Sequence, residues 1–189
     1  ENLLLSWQEF LKGKKKRKDI AEFSLQFMDN ILFLQGKLSG KTYKHGSYSA
    51  FKINDPKPRD IHKASVADRI VHHAIYKTLY RYFDRKFIYD SYSCRNEKGT
   101  HRSLNRFRYF GRKVSLNNTK TVWILKCDIK KFFATINHQI LKDILNKHIV
   151  DKDIFWLLEN VIDSFYTKGN RSSGLPLGNV TSQLLINVY

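Results

Sequence analysis

Cysteine is nearly absent from this 189-residue chain, and the two present, Cys94 and Cys127, are too few for a disulfide framework or a structural zinc site. A reducing compartment suits them, and the cytoplasm is the expected location. No apolar run approaches the length needed to cross a bilayer, and no secretory leader opens the sequence, so no membrane partner is expected. There is no internal repeat, and no low-complexity tract longer than a short basic run at 13–18. Acidic side chains are scarce: 17 Asp and Glu stand against 34 Lys and Arg, a formal net charge of +17. That balance predicts strong attraction to phosphate backbones. Hydrophobic residues make up 42% and aromatics 14%, enough to bury a core, so the chain is not a disordered tail. Interleaved Arg, Lys, Tyr and Phe make nucleic acid the favoured partner.

Periodicity places the elements. Leu3, Leu4, Trp7 and Leu11 share a helical face, and a second helix is predicted to turn Ile20, Phe23, Phe27, Ile31 and Leu34 inward. Between them Lys14, Lys15, Lys16 and Arg17 form a basic loop, which is either a solvated surface run or a nucleic-acid contact. Residues 36–46 read as a linker or hairpin loop, and 48–53 and 59–62 as two strands around a turn at 54–58. Ser65 followed by Asp68 is a capping-box-like start for a long helix carrying Val66, Ile70, Ala74, Leu79 and Tyr82. His72 and His73 are adjacent, so they face different ways and lack the i,i+4 spacing of a helical metal pair; they read as packing or hydrogen-bonding residues. Thr100 is expected to cap a helix with Leu104, Phe107 and Phe110. Its Arg102, Arg106, Arg108, Arg112 and Lys113 are either an exposed charged face or a backbone-contact surface. Asn137 and Asp151 are predicted caps, and Ile154, Leu158, Val161 and Phe165 a core stripe.

Two stretches carry chemistry. An apolar run from 122 to 125 is predicted to be a strand that delivers one carboxylate, Asp128, into the pair Phe132 and Phe133. A carboxylate there can hold Mg²⁺, or it can merely cap the helical turn that follows. Downstream, Gly174-Leu-Pro-Leu-Gly178 opens an amphipathic helix over 179–187. Glycines let backbone approach a ligand, and a helix N-terminus favours phosphate, although a turn followed by a cap would look the same.

Taken with Pro56-Lys-Pro-Arg59, Ala67-Asp-Arg-Ile-Val-His-His-Ala74 and Ser91-Tyr-Ser-Cys-Arg-Asn-Glu-Lys-Gly-Thr-His101, these stretches fall in one order. The chain from about 48 to 189 resembles the bacterial reverse transcriptases, most closely those of diversity-generating retroelements and the related group II intron type. The resemblance implies an α+β polymerase right hand, with a helix-rich fingers lobe and an incomplete palm sheet. It divides the chain into an N-terminal helical extension with the basic loop (1–47), fingers (48–120) and part of a palm (121–189). It implies an RNA-directed DNA polymerase that copies an RNA template from a DNA primer, uses deoxynucleotides and two Mg²⁺ ions, and works with an accessory protein.

Residue by residue, Asp128 matches the first metal-binding aspartate, with the Ile129 carbonyl beside the metals. Phe133 matches the gate that excludes a 2′-hydroxyl. Lys57 and Arg59 match the cations for the incoming triphosphate, while Leu177, Gly178 and Gln183 belong to the loop and helix that hold nucleotide and template. Lys14, Lys15, Lys16, Arg17, Lys63, Arg69, Arg95 and Lys98 are the expected nucleic-acid contacts. Leu177 stands where many reverse transcriptases carry Gln. The surrounding pattern is similar to the retroelement form, which implies relaxed fidelity at template adenines.

The family's second palm motif, x-Asp-Asp, should follow the glycine and proline loop, and the chain ends at Tyr189 before it. The chain also lacks an initiator Met, so the expectation is a fingers and partial-palm fragment, inactive alone, because two-metal transfer needs carboxylates on both ions. Two other readings remain open: a noncatalytic RNA-binding module, and a reverse transcriptase of intron mobility or antiphage defence.

Overall fold

A computed structural model describes residues 1–54 and 57–189. Its architecture is helix-rich α+β: α1 (Asn2–Leu11), α2 (Lys18–Leu25), α3 (Phe27–Ser39), an antiparallel hairpin of β1 (Ser49–Asn54) and β2 (Pro58–Lys63), then α4 (Val66–Phe83), α5 (Gly99–Val114), α6 (Phe132–Thr135), α7 (His138–Asn146), α8 (Lys152–Ile162) and α9 (Val180–Val188). The hairpin register runs from Ser49 opposite Lys63 to Asn54 opposite Pro58. Asp55 and Pro56, within the predicted turn and fingers signature, lie outside the described residues.

Local capping chemistry explains several helix starts. The Ser65 hydroxyl accepts from the Asp68 amide, Asn137 from the Ile140 amide, and Asp151 from the amides of Asp153 and Ile154. The core is a single cluster that runs from Trp7 and Phe10 through Ile70, Val71 and Leu79 on α4 to Leu141, Leu158 and Leu185. Helix α4 is its axis, with α1 and α9 packed against it. Trp7 stacks on Phe27 and tilts against Phe23, which seals α1 to α2 and α3.

The structure corrects several expectations. The single second helix is two, broken at Gln26, where the Asn30 side-chain amide donates to the freed Phe23 carbonyl. On α1 the predicted face holds at Trp7, which is buried, and at Leu3 and Leu11, which pack partly buried against the core, while Leu4 is exposed and Phe10, outside the predicted stripe, is buried instead. Tyr82 is exposed on α4, and Phe83 takes its place in the core. Thr100 caps nothing: α5 begins at Gly99, with Lys98 at the N-cap position and no side-chain cap. Helix α8 stops at Ile162, short of Phe165. Residues 36–46 are partly helical, and Tyr43 from this segment is buried with its hydroxyl donating to Asp68.

The run at 122–125 forms no strand. Trp123 is 96% exposed and Leu125 89% exposed, and the run pairs with no strand among the described residues. A β-prone sequence becomes a strand only when a neighbouring edge takes up its backbone groups.

Candidate functional site

The Gly174–Gly178 loop is the hub of the site. On one side it is pinned to the turn that follows Asp128: the Gly174 amide donates to Ile136 and the Leu175 amide to Phe133, each at 2.8 Å. The His138 ring nitrogen Nε2 lies 2.7 Å from the Gly174 carbonyl, and the His138 amide donates to Ser172. Gly174 sits at φ +111 with its missing Cβ aimed at Thr167, so only glycine fits. On the other side the loop meets the hairpin. The His62 amide donates to the Leu177 carbonyl at 2.9 Å, and the Asn179 side-chain amide donates to the His62 carbonyl at 3.3 Å. Gly178, at φ +110, lets β2 approach so closely that a Cβ would stand 2.9 Å from Ile61.

Asp128 lies in an exposed stretch, with Ile129 also exposed. The capping alternative is excluded, since the N-cap of α6 is Lys131, held at φ +54 with no side-chain cap. Phe133 is half-buried against the core, and its neighbour Phe132 meets Tyr189 edge-on. Lys57 and Arg59 are exposed at the hairpin tip, and Gln183 is exposed on α9. No hydrogen bond or ion pair among the described residues joins Asp128 to either cation.

A cleft of about 170 Å³ opens beside the hub. It gathers Lys14 and Arg17 from the basic loop, Lys63 from β2, Arg69 from α4, and Gly178 to Val180 at the start of α9. Lys15 and Lys16 are exposed outside it. Burial, then the charges of Arg17 and Arg69, press the Lys14 pKa below its usual value. His73 is pushed down to about 4 by burial, with the Lys14 charge adding to it. Crowded cations next to a helix N-terminus make a place where an anion relieves the repulsion. Asp19 is the acid that holds the wall together: it pairs with Lys63 at 2.7 Å and with Arg69. Burial would raise its pKa, but the bonds to Lys63 and Arg69 win and hold it below the usual carboxylate range.

Arg95 and Lys98 lie elsewhere. The Arg95 guanidinium is 7% exposed and is fully engaged inside the protein, donating to the Asp84 carboxylate and to the carbonyls of Asp84, Ile88 and Ser91. Lys98 donates to the Tyr89 carbonyl and lies over the Tyr89 ring. His72 and His73 form no metal site: His72 bonds to Thr181 and His45, and His73 meets the Phe10 ring edge-on. Sequence reasoning missed Asp19, Asn179, His138 and Thr181. Asp19 follows the basic run directly, and Asn179 and Thr181 lie within the loop-and-helix stretch that the sequence marked, whereas His138 had no local signal.

The residues present supply only part of what a two-ion centre needs. Among the described residues no three His, Cys, Asp or Glu side chains gather as a metal cluster would, and Asp128 supplies one carboxylate.

Comparison of the sequence with known proteins identifies a family. Residues 51–189 match the family described as "Reverse transcriptase (RNA-dependent DNA polymerase)", and the chain belongs to it. It is similar to the "Group II intron-encoded protein LtrA" of Lactococcus lactis subsp. cremoris, 26% identical over 143 residues, which are 73% of this chain and 22% of that protein. It is also similar to "Protein YkfC" of Escherichia coli (strain K12), 25% identical over 128 residues (66% and 33% of the two chains). The "Putative COX1/OXI3 intron 2 protein" of Saccharomyces cerevisiae is 35% identical over 72 residues, 35% of this chain and 8% of that protein. The chain thus spans a third or less of the length of these relatives. Among the described residues, no helix is long and apolar enough to cross a membrane.

Proposed function

We propose that this chain is the strand- and nucleotide-holding part of an RNA-directed DNA polymerase that copies RNA into cDNA in the cytoplasm. The observation that carries the reading is the double anchoring of the glycine and proline loop, through Leu175 to Phe133 and through Leu177 to His62. It sets the turn after Asp128, the loop and the hairpin in one frame. In that frame Phe133 denies room to a 2′-hydroxyl, Lys57 and Arg59 take the triphosphate, and Gly178 and Gln183 position nucleotide and template. The cleft of Lys14, Arg17, Lys63 and Arg69 holds template phosphates as a point-charge surface. Asp128 and the Ile129 carbonyl can each offer an oxygen to Mg²⁺, and a second carboxylate has to come from outside this set. The chain's own residues therefore account for binding and orientation, which contribute much of the rate in such reactions.

The intron proteins among the relatives support an intron-type biology, while Leu177 supports the error-prone retroelement form with its accessory protein. The test is primer extension on an RNA template with Mg²⁺ and deoxynucleotides, using the protein that carries this chain. Asp128→Ala is expected to abolish extension and to leave RNA affinity unchanged. Full activity in the variant overturns the assignment, and RNA binding without extension by the unmodified protein leaves the noncatalytic binding module.

A further inference from the structure

Helix α5 buries none of its 16 residues. At 3.6 residues per turn, Arg102, Asn105, Tyr109 and Arg112 line one side, and Leu104, Phe107 and Val114 the opposite one. The basic side is not a flat array of charges. Two hollows adjoin along it and share Asn105 and Tyr109: one of about 280 Å³ also lined by Tyr89, Tyr92 and Arg102, the other of about 490 Å³ also lined by Arg108 and Arg112. The helix contains no Asp or Glu. Asp90, which reaches this side, is already paired with Arg106 at 2.9 Å, and that pairing holds the Arg106 guanidinium over the rings of Tyr109 and Phe110. None of these residues lines the cleft at the loop, so this is a separate surface.

We propose that this side of α5 is a second nucleic-acid contact, specific for single strands, in which a base stacks on Tyr109 while phosphates lie along Arg102, Arg108 and Arg112. A half-exposed tyrosine between two cationic hollows is the combination that takes unpaired bases, because every base has a face to stack and a duplex hides it. Arg102 and Arg112 are about 15 Å apart along the axis, the length of about four stacked nucleotides. The Tyr89, Tyr92 and Tyr109 rings line the cationic hollows and not the apolar side that carries Phe107, which favours a strand of planar bases over a lipid surface. The inference deepens the polymerase reading by giving the copied or newly made strand a second hold, and it rests on that reading only for the identity of the strand.

The test is binding of a 12-nucleotide oligouridine, with no deoxynucleotides, across a salt series. Tyr109→Ala is expected to weaken binding about 5- to 100-fold, Tyr109→Phe to restore it, and neither to change affinity for duplex RNA of the same length. The triple variant Arg102→Ala/Arg108→Ala/Arg112→Ala should reduce the slope of log affinity against log salt by about 2. All four residues belong to a surface with no buried position, so the variants fold, which circular dichroism checks. An unchanged slope in the triple variant, or Tyr109→Phe as weak as Tyr109→Ala, overturns the proposal. So does a triple variant that loses affinity for vesicles with 30% phosphatidylserine but not for oligouridine. Asp128→Ala leaves this binding intact, so a failure of the polymerase reading shows in extension alone.

Discussion

The Leu175 amide donates to the Phe133 carbonyl at 2.8 Å. This bond makes the glycine and proline loop and the turn after Asp128 one body, reinforced by the Thr167 hydroxyl donating to Ala134 and the Thr167 amide to Ser173. Any change that breaks these bonds moves Phe133 and the Gly174–Gly178 loop apart.

Gly174 is where that body is least tolerant. An alanine would carry φ +111 and place its Cβ 2.3 Å from the Thr167 hydroxyl and 3.0 Å from the Thr167 backbone nitrogen. Gly174→Ala is expected to cost about 2–4 kcal/mol, lowering Tm by about 5–15 °C in calorimetry. Adding Thr167→Ala should recover only part of the loss, since the backbone nitrogen and the positive φ remain. A Gly174→Ala protein with unchanged Tm would show that the loop is free to shift.

Arg95 separates two roles that sequence alone leaves merged. A phosphate contact tolerates Lys, whereas the guanidinium that ties Asp84, Ile88 and Ser91 together needs its planar fork. Both Arg95→Lys and Arg95→Ala are therefore expected to destabilise the fold, the latter by about 2–3 kcal/mol because it leaves the partners unpaired. Urea unfolding reads this directly. A stable Arg95→Lys variant with weakened RNA binding would return Arg95 to the nucleic-acid surface.

The features legible in the sequence were those set by near neighbours. Ser65, Asn137 and Asp151 cap as their spacing demands, and the hairpin and α9 fall close to where turn residues and periodicity place them. What was not legible depends on distant partners. Residues 122–125 have strand chemistry but no edge to pair with, and the break at Gln26 depends on a cap from Asn30. The cleft follows the same division. Lys14, Arg17, Lys63 and Arg69 were each marked by charge, but Asp19 as their common clamp and the helix start beside them arise only from tertiary packing.

Leu177 is half-buried, and its carbonyl is committed to His62 while its side chain offers a nucleotide no hydrogen bond. Leu177→Gln restores a polar clamp without disturbing that backbone bond. If the retroelement reading holds, sequencing of cDNA should show adenine misincorporation reduced about 2- to 10-fold, the value of one hydrogen bond. An error spectrum identical to that of the unmodified protein would remove Leu177 from the fidelity argument.

The last prediction concerns the buried histidines that join α4 to α9. His45 Nδ1 lies 2.7 Å from the Gly46 carbonyl and donates to it. His72 Nε2 lies 3.0 Å from His45 Nε2 and His72 Nδ1 2.6 Å from the Thr181 hydroxyl, so a neutral His72 donates through one ring nitrogen and accepts through the other. Burial, then the neighbouring His45 and His73, push the His72 pKa down to about 3. A depressed histidine pKa means that the unfolded chain binds a proton at about pH 6.5 that the folded protein refuses until far lower pH. Stability from this group is fully present above pH 6.5 and is lost as pH falls, by about 2 kcal/mol between pH 7 and 5. His73 adds to the loss in the same direction, less strongly because solvent reaches it. The carboxylates with lowered pKa values, Asp19, Asp84 and Asp90, titrate below this window. Urea unfolding at pH 7, 6 and 5 should therefore show a steep decline that His72→Gln flattens by about 2 kcal/mol over the range. An equally steep decline in His72→Gln would mean that His72 is not held neutral, and that the link from α4 to the helix bearing Gln183 is not the chain of neutral donors and acceptors derived from its geometry.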